Sequence, residues 1–198
     1  MTVLHLPLRL GHHTESSAVF SPCGNYRYRL VRVWDSARPL LGLVTLQPLM
    51  ADGRRNDATI WCCSEVARSS GYGGIIVRNL YALVSPHPDR IGDHPDPVGP
   101  DNDAELAQCS QHDLTVLAWG PGAGPARAHH VAFALWRASC AHGTSLAVLG
   151  WTATGQPEHP LSVAAGTTLK CYTAAASAGA HEDEDPRWGR LFFSGIAA

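Results

Sequence analysis

The sequence predicts one α/β domain, a three-layer sandwich in which helices cover both faces of a mostly parallel central sheet. Three observations lead to this fold class. Short apolar runs recur along the chain with segments of helical character between them, as in repeated strand–helix–strand units. The central runs are continuously apolar, which is typical of parallel strands buried on both faces. The chain has 198 residues, enough for one domain with a substantial core.

Composition and charge narrow the classes of function. Hydrophobic residues make up 45% of the chain and charged residues 16%, which is typical of a folded protein. The formal net charge of −2 argues against strong non-specific binding to duplex DNA, because such binding usually needs a basic face. No apolar run is long enough to cross a membrane, and residues 1–13 lack the pattern of a secretory signal. We therefore expect a cytoplasmic protein with no membrane partner.

The six cysteines form no C-x-x-C pair, and Cys62 and Cys63 are adjacent. This spacing fits neither a zinc site nor a disulfide framework, and reduced thiols are the plain interpretation. The two pairs of adjacent histidines are poorly spaced for a shared metal ion. We therefore predict no metal site and no cofactor.

The first part of the chain predicts little regular structure before its first strand. Residues 1–24 look irregular. Residues 25–35 (NYRYRLVRVWD) alternate between apolar and basic side chains. Such alternation indicates a half-exposed strand, which we place at an edge of the sheet.

The first core strand and its helix follow. The continuous apolar run at 40–46 (LLGLVTL) indicates a buried parallel strand. Residues 57–69 indicate a helix that begins at Asn56 or Asp57 and ends at Gly71.

The middle of the chain repeats this alternation. Residues 73–80 predict the second core strand, and a loop rich in Pro, Asp and His fills 85–101. Asn102 followed by Glu105 is a capping-box pattern for a helix start. Residues 114–119 (LTVLAW) then predict the third core strand.

The last part completes the domain. Residues 126–138 predict a helix, 145–149 a fourth core strand and 150–162 a loop. The domain spans 1–173. Residues 174–198 are Ala-rich and then acidic, and we expect them to form a loose C-terminal appendage.

Polar or Gly-rich segments follow all four core strands. They are Gln47–Pro48, Asn79, Trp119–Gly120 and the loop that carries His159. In open parallel sheets, ligands bind beyond the carboxyl ends of the strands. The sequence therefore predicts that these four exits converge on one binding rim.

The loop after the first strand contains several candidate functional residues, and each of them also has a purely structural explanation. Pro48 ends strand pairing, and the Gln47 amide offers both a donor and an acceptor to a water or a base edge. Asp52 is a candidate general base or sugar contact, with loop solvation as its alternative. Asp57 is a candidate for the same two roles, with helix capping as its alternative, and we assign it the helix cap.

The other exits carry an amide, a glycine-rich turn and an imidazole. Asn79 is a polar residue at the end of an apolar run. Its side chain either hydrogen-bonds to the edge of a nucleobase or fixes the backbone of the following loop. Trp119 and Gly120 begin W-G-P-G-A-G, which resembles an anion-cradling turn but also suits a tight strand-to-helix connection. His159 and Ser162 offer an imidazole and a hydroxyl, and the imidazole can stabilise charge on a leaving group.

Several segments together resemble a bacterial domain family of unknown function. Its pattern reads L-N-P-S-x-A-D, D-x-T-I, G-Y-G-G, N-L-x-A, D-P-x-G-x-x-N-D, W-G and H-P-L. The matching segments are SPCGNYRYRLVRVWD, LQPLMADGRRNDATI, GYGGIIVRNLYAL, DPVGPDND, LAWG and GQPEHPL. The sequence departs from the pattern at Gln47, where Asn is usual, and at Leu49 and Met50, where small hydroxyl residues are usual.

The order of motifs is also remotely similar to that of the uracil-DNA glycosylase superfamily. That resemblance implies the superfamily's α/β fold. It implies that Gln47, before Pro48, positions the attacking water, and that Asn79 reads the base. His159 would stabilise the departing base, and Ser162 would contact a phosphate.

Two further roles follow from the same resemblance. Trp119–Gly120 matches the end of the superfamily's third strand. An aromatic side chain should stack on the base, and Trp61 or Tyr72 is the candidate. Gln47 stands where the superfamily has Asp or Asn.

The leading hypothesis is therefore an enzyme of the N-glycosidase type, a hydrolase of the bond between a nucleobase and its sugar. The small net charge favours a nucleoside or nucleotide over long nucleic acid as the substrate. One alternative is a non-catalytic module that binds a nucleotide or nucleic acid. Another is an enzyme of specialised metabolism that reuses the pocket.

Overall fold

A seven-stranded sheet with the order β1-β2-β4-β3-β5-β6-β7 forms the centre of the computed structural model, which describes residues 15–49, 55–85, 88–173 and 185–194. The strands are β1 (Glu15–Phe20), β2 (Arg27–Val33), β3 (Leu40–Thr45), β4 (Gly74–Asn79), β5 (Leu114–Leu117), β6 (Ser145–Val148) and β7 (Lys170–Thr173), and the α-helices are α1 (Ala58–Ser69), α2 (Asn102–Ala107), α3 (Pro125–His142) and α4 (Arg187–Phe193). Short 3-10 turns cover Pro88–Asp93, Gln108–Gln111 and Pro160–Ser162.

The sheet is mixed. The four central strands β3, β4, β5 and β6 are parallel, as the continuous apolar runs predict. The outer strands β1, β2 and β7 are antiparallel to their neighbours. The prediction of a mostly parallel sheet is thus confirmed for its centre and wrong for its flanks. The α/β class itself is confirmed.

The strand at 27–33 lies inside the sheet and not at its edge. Residues 15–20, within the segment predicted to be irregular, form β1 and pair with β2 so that Ala18 lies opposite Leu30. This pairing covers β2, and two of its basic side chains, Arg27 and Arg32, are buried. Alternation of apolar and basic residues therefore does not mark an exposed face here, because the buried guanidinium groups hydrogen-bond to Asn79, Asn56 and the Arg55 carbonyl inside the protein.

Helix α1 begins where the sequence indicates. The side chain of Asp57 accepts a hydrogen bond from the Ile60 backbone N–H at 2.9 Å, so Asp57 is the N-cap. Beyond the helix, Gly71 adopts a φ of 84°, a left-handed conformation that favours glycine.

Helices cover both faces of the sheet, and the sheet separates the core into two clusters. On one face, Leu41 and Leu43 of β3 pack with Ile60 and Cys63 of α1, in what we call the α1 face. On the opposite face, the α3 face, strand residues pack with α2, α3 and α4. This is the predicted three-layer arrangement.

Asn102 does not cap α2. It is the first residue of the helix, Asp101 precedes it as N-cap without a side-chain capping bond, and the Asn102 side chain points into the core. The capping-box prediction is therefore wrong, because the buried carbonyls at the end of β4 bind the Asn102 amide instead.

The end of the chain is not a loose appendage throughout. Within the expected tail, residues 187–193 form α4, and Trp188, Leu191 and Phe192 are buried in the cluster on the α3 face. The free energy gained by burying these large apolar side chains outweighs the effect of the acidic residues that precede the helix in the sequence. Among the helices of the described ranges, none has both the length and the apolar character required to span a bilayer.

Candidate functional site

The carboxyl ends of the central strands meet at one rim. Thr45 at the end of β3 lies opposite Asn79 at the end of β4, and Leu117 of β5 lies opposite Val148 of β6. Backbone hydrogen bonds continue past the strands, with Leu80 N–H donating to the Thr45 carbonyl at 2.8 Å. The four polar exits that the sequence singles out therefore leave the sheet along the same edge.

The α1 face of this rim carries most of the polar side chains. Leu46 packs on the α3 face, which leaves Thr45 and Gln47, the residues on either side of it, on the α1 face. Asn79 lies on the α1 face too, since its amide reaches the Thr45 hydroxyl. The helix that covers this face begins at the same rim, directly after Asp57.

The side chain of Gln47 is buried in the rim, and only one of its two polar atoms has a hydrogen-bond partner among the described residues. Its side chain is 6% exposed, and Nε2 donates to the Ser85 carbonyl at 3.1 Å. Within the described residues, the buried Oε1 has no hydrogen-bond partner. Pro48 is buried beside it. A buried acceptor without a partner is costly, so Oε1 is a natural place for a water or a ligand donor.

Asn79 lies in the core and not at the surface of the rim. It is 0% exposed, its Nδ2 donates to Thr45 Oγ1 at 2.6 Å, and Oδ1 accepts from Arg27 at 3.4 Å. Its backbone carbonyl accepts from Asn102 Nδ2 at 3.1 Å. This network fixes the end of β4 and leaves the Asn79 amide covered by protein.

Trp119 and Gly120 divide between the two faces. The Trp119 indole is buried on the α3 face, and its Nε1–H donates to Gln156 Oε1 at 2.8 Å. Gly120 has a φ of 76°, and a Cβ at this position would lie 3.0 Å from His159 Cβ. The glycine therefore allows the His159 loop to approach the end of β5 closely.

His159 is half-buried at the rim. Its Nδ1 accepts from the Leu161 backbone N–H at 3.3 Å and caps the turn at 160–162, which packs against α1. Burial lowers the pKa of His159 below the ordinary value of 6.5, and the carboxylate of Asp57 partly offsets this shift. The imidazole is therefore neutral near pH 7 with its proton on Nε2.

The two aromatic candidates occupy opposite edges of the sheet. Trp61 lies in the first turns of α1, close to the rim, and is 51% exposed. Tyr72 precedes β4 and so lies at the amino edge, where its carbonyl accepts from the Trp34 indole. Ser162 is exposed at the end of the 3-10 turn near the rim. Ser162 is thus near His159, Trp61 lies on the helix that packs against the His159 turn, and Tyr72 lies at the opposite edge of the sheet.

Asp52 lies outside the described residues, so its predicted role stays a prediction. Thr59, in the first turn of α1, is a polar residue of the rim that sequence reasoning missed. It is buried, and its Oγ1 has no hydrogen-bond partner within the described residues. The D-x-T-I motif contained it, but the motif alone does not indicate which way the hydroxyl points.

Sequence reasoning also missed the residues that hold the rim together. Thr45 and Arg27 contact the Asn79 side chain, and Gln156 holds the Trp119 indole. Asn102 carried a signal, since it lies in the D-P-x-G-x-x-N-D motif. Among the described residues, no group of three or more His, Cys, Asp or Glu side chains is arranged to hold a metal ion.

Comparison with known families gives one match. The model of a family described as protein of unknown function, DUF1643, matches residues 27–161. This range is more than half of the chain and contains all four strand exits of the rim. No curated protein and no solved structure matches the chain.

Proposed function

We propose, from the premise that the chain belongs to the DUF1643 family, that it cleaves the N-glycosidic bond between a nucleobase and its sugar. The substrate class is a nucleoside, a nucleotide or a nucleic acid. We also propose a fold like that of the uracil-DNA glycosylase superfamily. The support is that Gln47–Pro48, Asn79, Trp119–Gly120 and His159–Pro160 follow the parallel strands β3 to β6 in that order.

The hydrogen bond that His159 Nδ1 accepts from the Leu161 backbone N–H is the observation that carries this proposal. Because Nδ1 accepts from the Leu161 N–H, the neutral ring bears its proton on Nε2. Cleavage of an N-glycosidic bond places negative charge on the departing base, and a positioned N–H donor stabilises that charge. The lowered pKa of His159 keeps the ring in this neutral donor form at pH 7.

Gln47 supplies the second element. The sugar develops oxocarbenium character as the base departs, so the attacking water needs orientation more than a strong base. The buried Oε1 without a partner can accept a hydrogen bond from that water, while the bond from Nε2 to Ser85 fixes the amide plane. Gln47 thereby positions the water with a neutral amide, at the place where the superfamily has Asp or Asn.

Asn79 takes a different role from the one that the resemblance implies. Since its amide bonds to Thr45 and Arg27 and is fully buried, we assign it to positioning the rim. A second candidate function, which the departure at Gln47 favours, is a rim that binds a nucleotide or nucleic acid without cleaving it. Such a module would need neither the Nε2–H of His159 nor a water on Gln47.

The test measures free base by liquid chromatography after incubation with nucleosides, nucleotides and uracil-containing DNA. His159→Asn is the sharpest variant, because asparagine retains an acceptor for the Leu161 N–H but removes Nε2–H. We expect base release to fall about a hundredfold, the usual cost of removing one such donor. Gln47→Leu should lower it as well.

His130→Asn is the matched control, since His130 is an exposed residue of α3 outside the proposed rim. It should release base at the rate of the unaltered protein. Equal rates for His159→Asn and the unaltered protein would remove His159 from the mechanism. Saturable nucleotide binding without release of base from any compound would favour the binding module.

A further inference from the structure

A concave surface lies on the α3 face, beside the loop that carries His159. It is a cleft of about 530 Å³ between the start of α3, the turn at 152–156 and α4. The residues that line it are Pro125, His129, Thr152, Ala153, Thr154, Gly155, Gln156, Arg187, Arg190, Leu191 and Ser194. Its volume is that of a small-molecule site.

The charge of the cleft is positive. Two arginines line it, and none of the described lining residues is acidic. Arg187 is paired with Asp185, through Nε to Oδ1 at 2.8 Å, whereas Arg190 is exposed and forms no ion pair within the described ranges. Arg190 therefore contributes a positive charge that no described carboxylate neutralises.

The arginines are presented by a rigid support. Trp188 and Phe192 of α4 are buried in the core, and the guanidinium of Arg187 stacks over the Trp151 ring at 5.4 Å. Buried aromatic residues on the same helix hold the backbone of Arg187 and Arg190 in place. The cleft is thus preorganised, which lowers the entropic cost of binding an anion.

The opposite wall is built from polar groups with defined orientations. The Thr152 hydroxyl lies 2.9 Å from that of Thr154 and accepts from the Gln156 backbone N–H at 3.0 Å. Nδ1 of His129 is 3.1 Å from the Leu191 carbonyl, and because a carbonyl only accepts, Nδ1 carries the proton. Pro125 places the first turn of α3 at the same wall, with its positive dipole end.

We infer that this cleft binds the phosphate group of a small phosphorylated organic molecule. Guanidinium groups match phosphate oxygens with paired charge-assisted hydrogen bonds, and threonine hydroxyls add neutral ones. The small volume of the cleft and the net charge of −2 favour a small phosphate ester over the extended backbone of a nucleic acid. The site uses none of the residues proposed for glycosidic cleavage and stands apart from that proposal.

The experiment titrates the full chain with pyrophosphate and with adenosine monophosphate at constant ionic strength, using isothermal titration calorimetry. We expect saturable binding of at least one of these compounds. Arg190→Glu should weaken it more than tenfold, because it replaces an attractive charge with a repulsive one. Arg190→Gln should have the same direction and a smaller effect.

Arg137→Glu is the matched control, because Arg137 is an exposed arginine of α3 outside the cleft. Arg137→Glu changes the net charge by the same amount as Arg190→Glu. Its affinity for the phosphate compounds should lie within about twofold of that of the unaltered protein. An equal loss in both charge reversals would overturn the site, as would unchanged affinity in Arg190→Glu. A single-stranded oligonucleotide that binds through Arg190 when both small phosphates fail would overturn the small-molecule assignment.

Discussion

Asn79 donates a hydrogen bond from Nδ2 to Thr45 Oγ1 at 2.6 Å, across the ends of the two central parallel strands β4 and β3. Both residues are buried, and this bond closes the strand pair at the point where the chain leaves the sheet. The ends of the two strands are therefore fixed by side chains as well as by the backbone ladder. The rim that follows is built on this fixed edge.

Asn79→Ala should destabilise the fold by about 1–3 kcal/mol, the cost of leaving buried polar partners unsatisfied. Thr45 and Arg27 would both lose a partner inside the core. Urea unfolding monitored by circular dichroism measures the change. Asn25→Ala is the control, because Asn25 is exposed in a turn before β2. A free energy of unfolding equal in both variants would show that the Asn79 network contributes nothing to stability.

This expectation differs from the one that the sequence supports. From the sequence alone, Asn79 is an asparagine at a strand exit, and its loss should abolish ligand binding while barely altering folding. Sequence position placed the residue correctly at the end of β4. It could not indicate that Thr45, two residues before Gln47, would take up the amide, because that depends on the register between β3 and β4.

The same distinction holds for the fold. The central strands, α1 and α3 follow from hydrophobic runs and caps, which are local signals. Strands β1 and β7 are the two edge strands, and they and helix α4 depend on pairing or packing with residues that are distant in the sequence. Local pattern is therefore a weak guide to them.

Orientation at the rim is also non-local. The sequence groups Trp61 and Tyr72 as equal aromatic candidates, yet they lie toward opposite edges of the sheet. Trp119 follows β5 as predicted, but the alternation of the strand places its indole on the α3 face. The residues at which the chain leaves each strand can be predicted from the sequence. The direction of each side chain, by contrast, depends on the register between neighbouring strands.

Gly120→Ala should weaken the fold and displace His159. The residue has a φ of 76°, and the added methyl group would lie 3.0 Å from His159 Cβ. A left-handed conformation alone costs alanine about 1–3 kcal/mol. Urea unfolding measures that cost, and the imidazole signals of His159 in NMR spectra report its displacement.

Gly155→Ala separates the two effects. Gly155 has a φ of 78°, but an added Cβ there meets no atom within 4 Å. It should show a similar loss of stability and leave the His159 signals in place. If Gly120→Ala also left those signals in place, close packing of Gly120 against His159 would not be what positions the ring.

Phe192→Ala should destabilise the protein by about 3–5 kcal/mol, as expected for removal of a buried aromatic ring. Phe192 is 0% exposed and packs with Trp136, Tyr172 and Trp188. Its neighbour Phe193 is 41% exposed, so Phe193→Ala is the control and should cost much less. Thermal unfolding compares the two. Equal, small changes would mean that the end of the chain is the loose appendage that its composition suggests.

His112 should make the fold less stable in mild acid. Nε2 lies 3.3 Å from Arg78 Nη1, and because a guanidinium only donates, Nε2 is the acceptor and must be unprotonated. Burial first, and then the charge of Arg78, lower the pKa of His112 from 6.5 to about 4, against a smaller opposing effect of Asp113. Between these two values the unfolded chain binds a proton at this residue and the folded chain does not.

Stability therefore falls as the pH falls from 6.5 toward 4, since protons favour the state that binds more of them. His112→Gln removes this titration and keeps an acceptor for Arg78. Urea unfolding at pH 7, 5.5 and 4.5 should show a shallower loss of stability in the variant than in the unaltered protein. His130→Gln, at an exposed position, should retain the full loss. Identical pH profiles for His112→Gln and the unaltered protein would mean that the folded and unfolded chains protonate His112 alike.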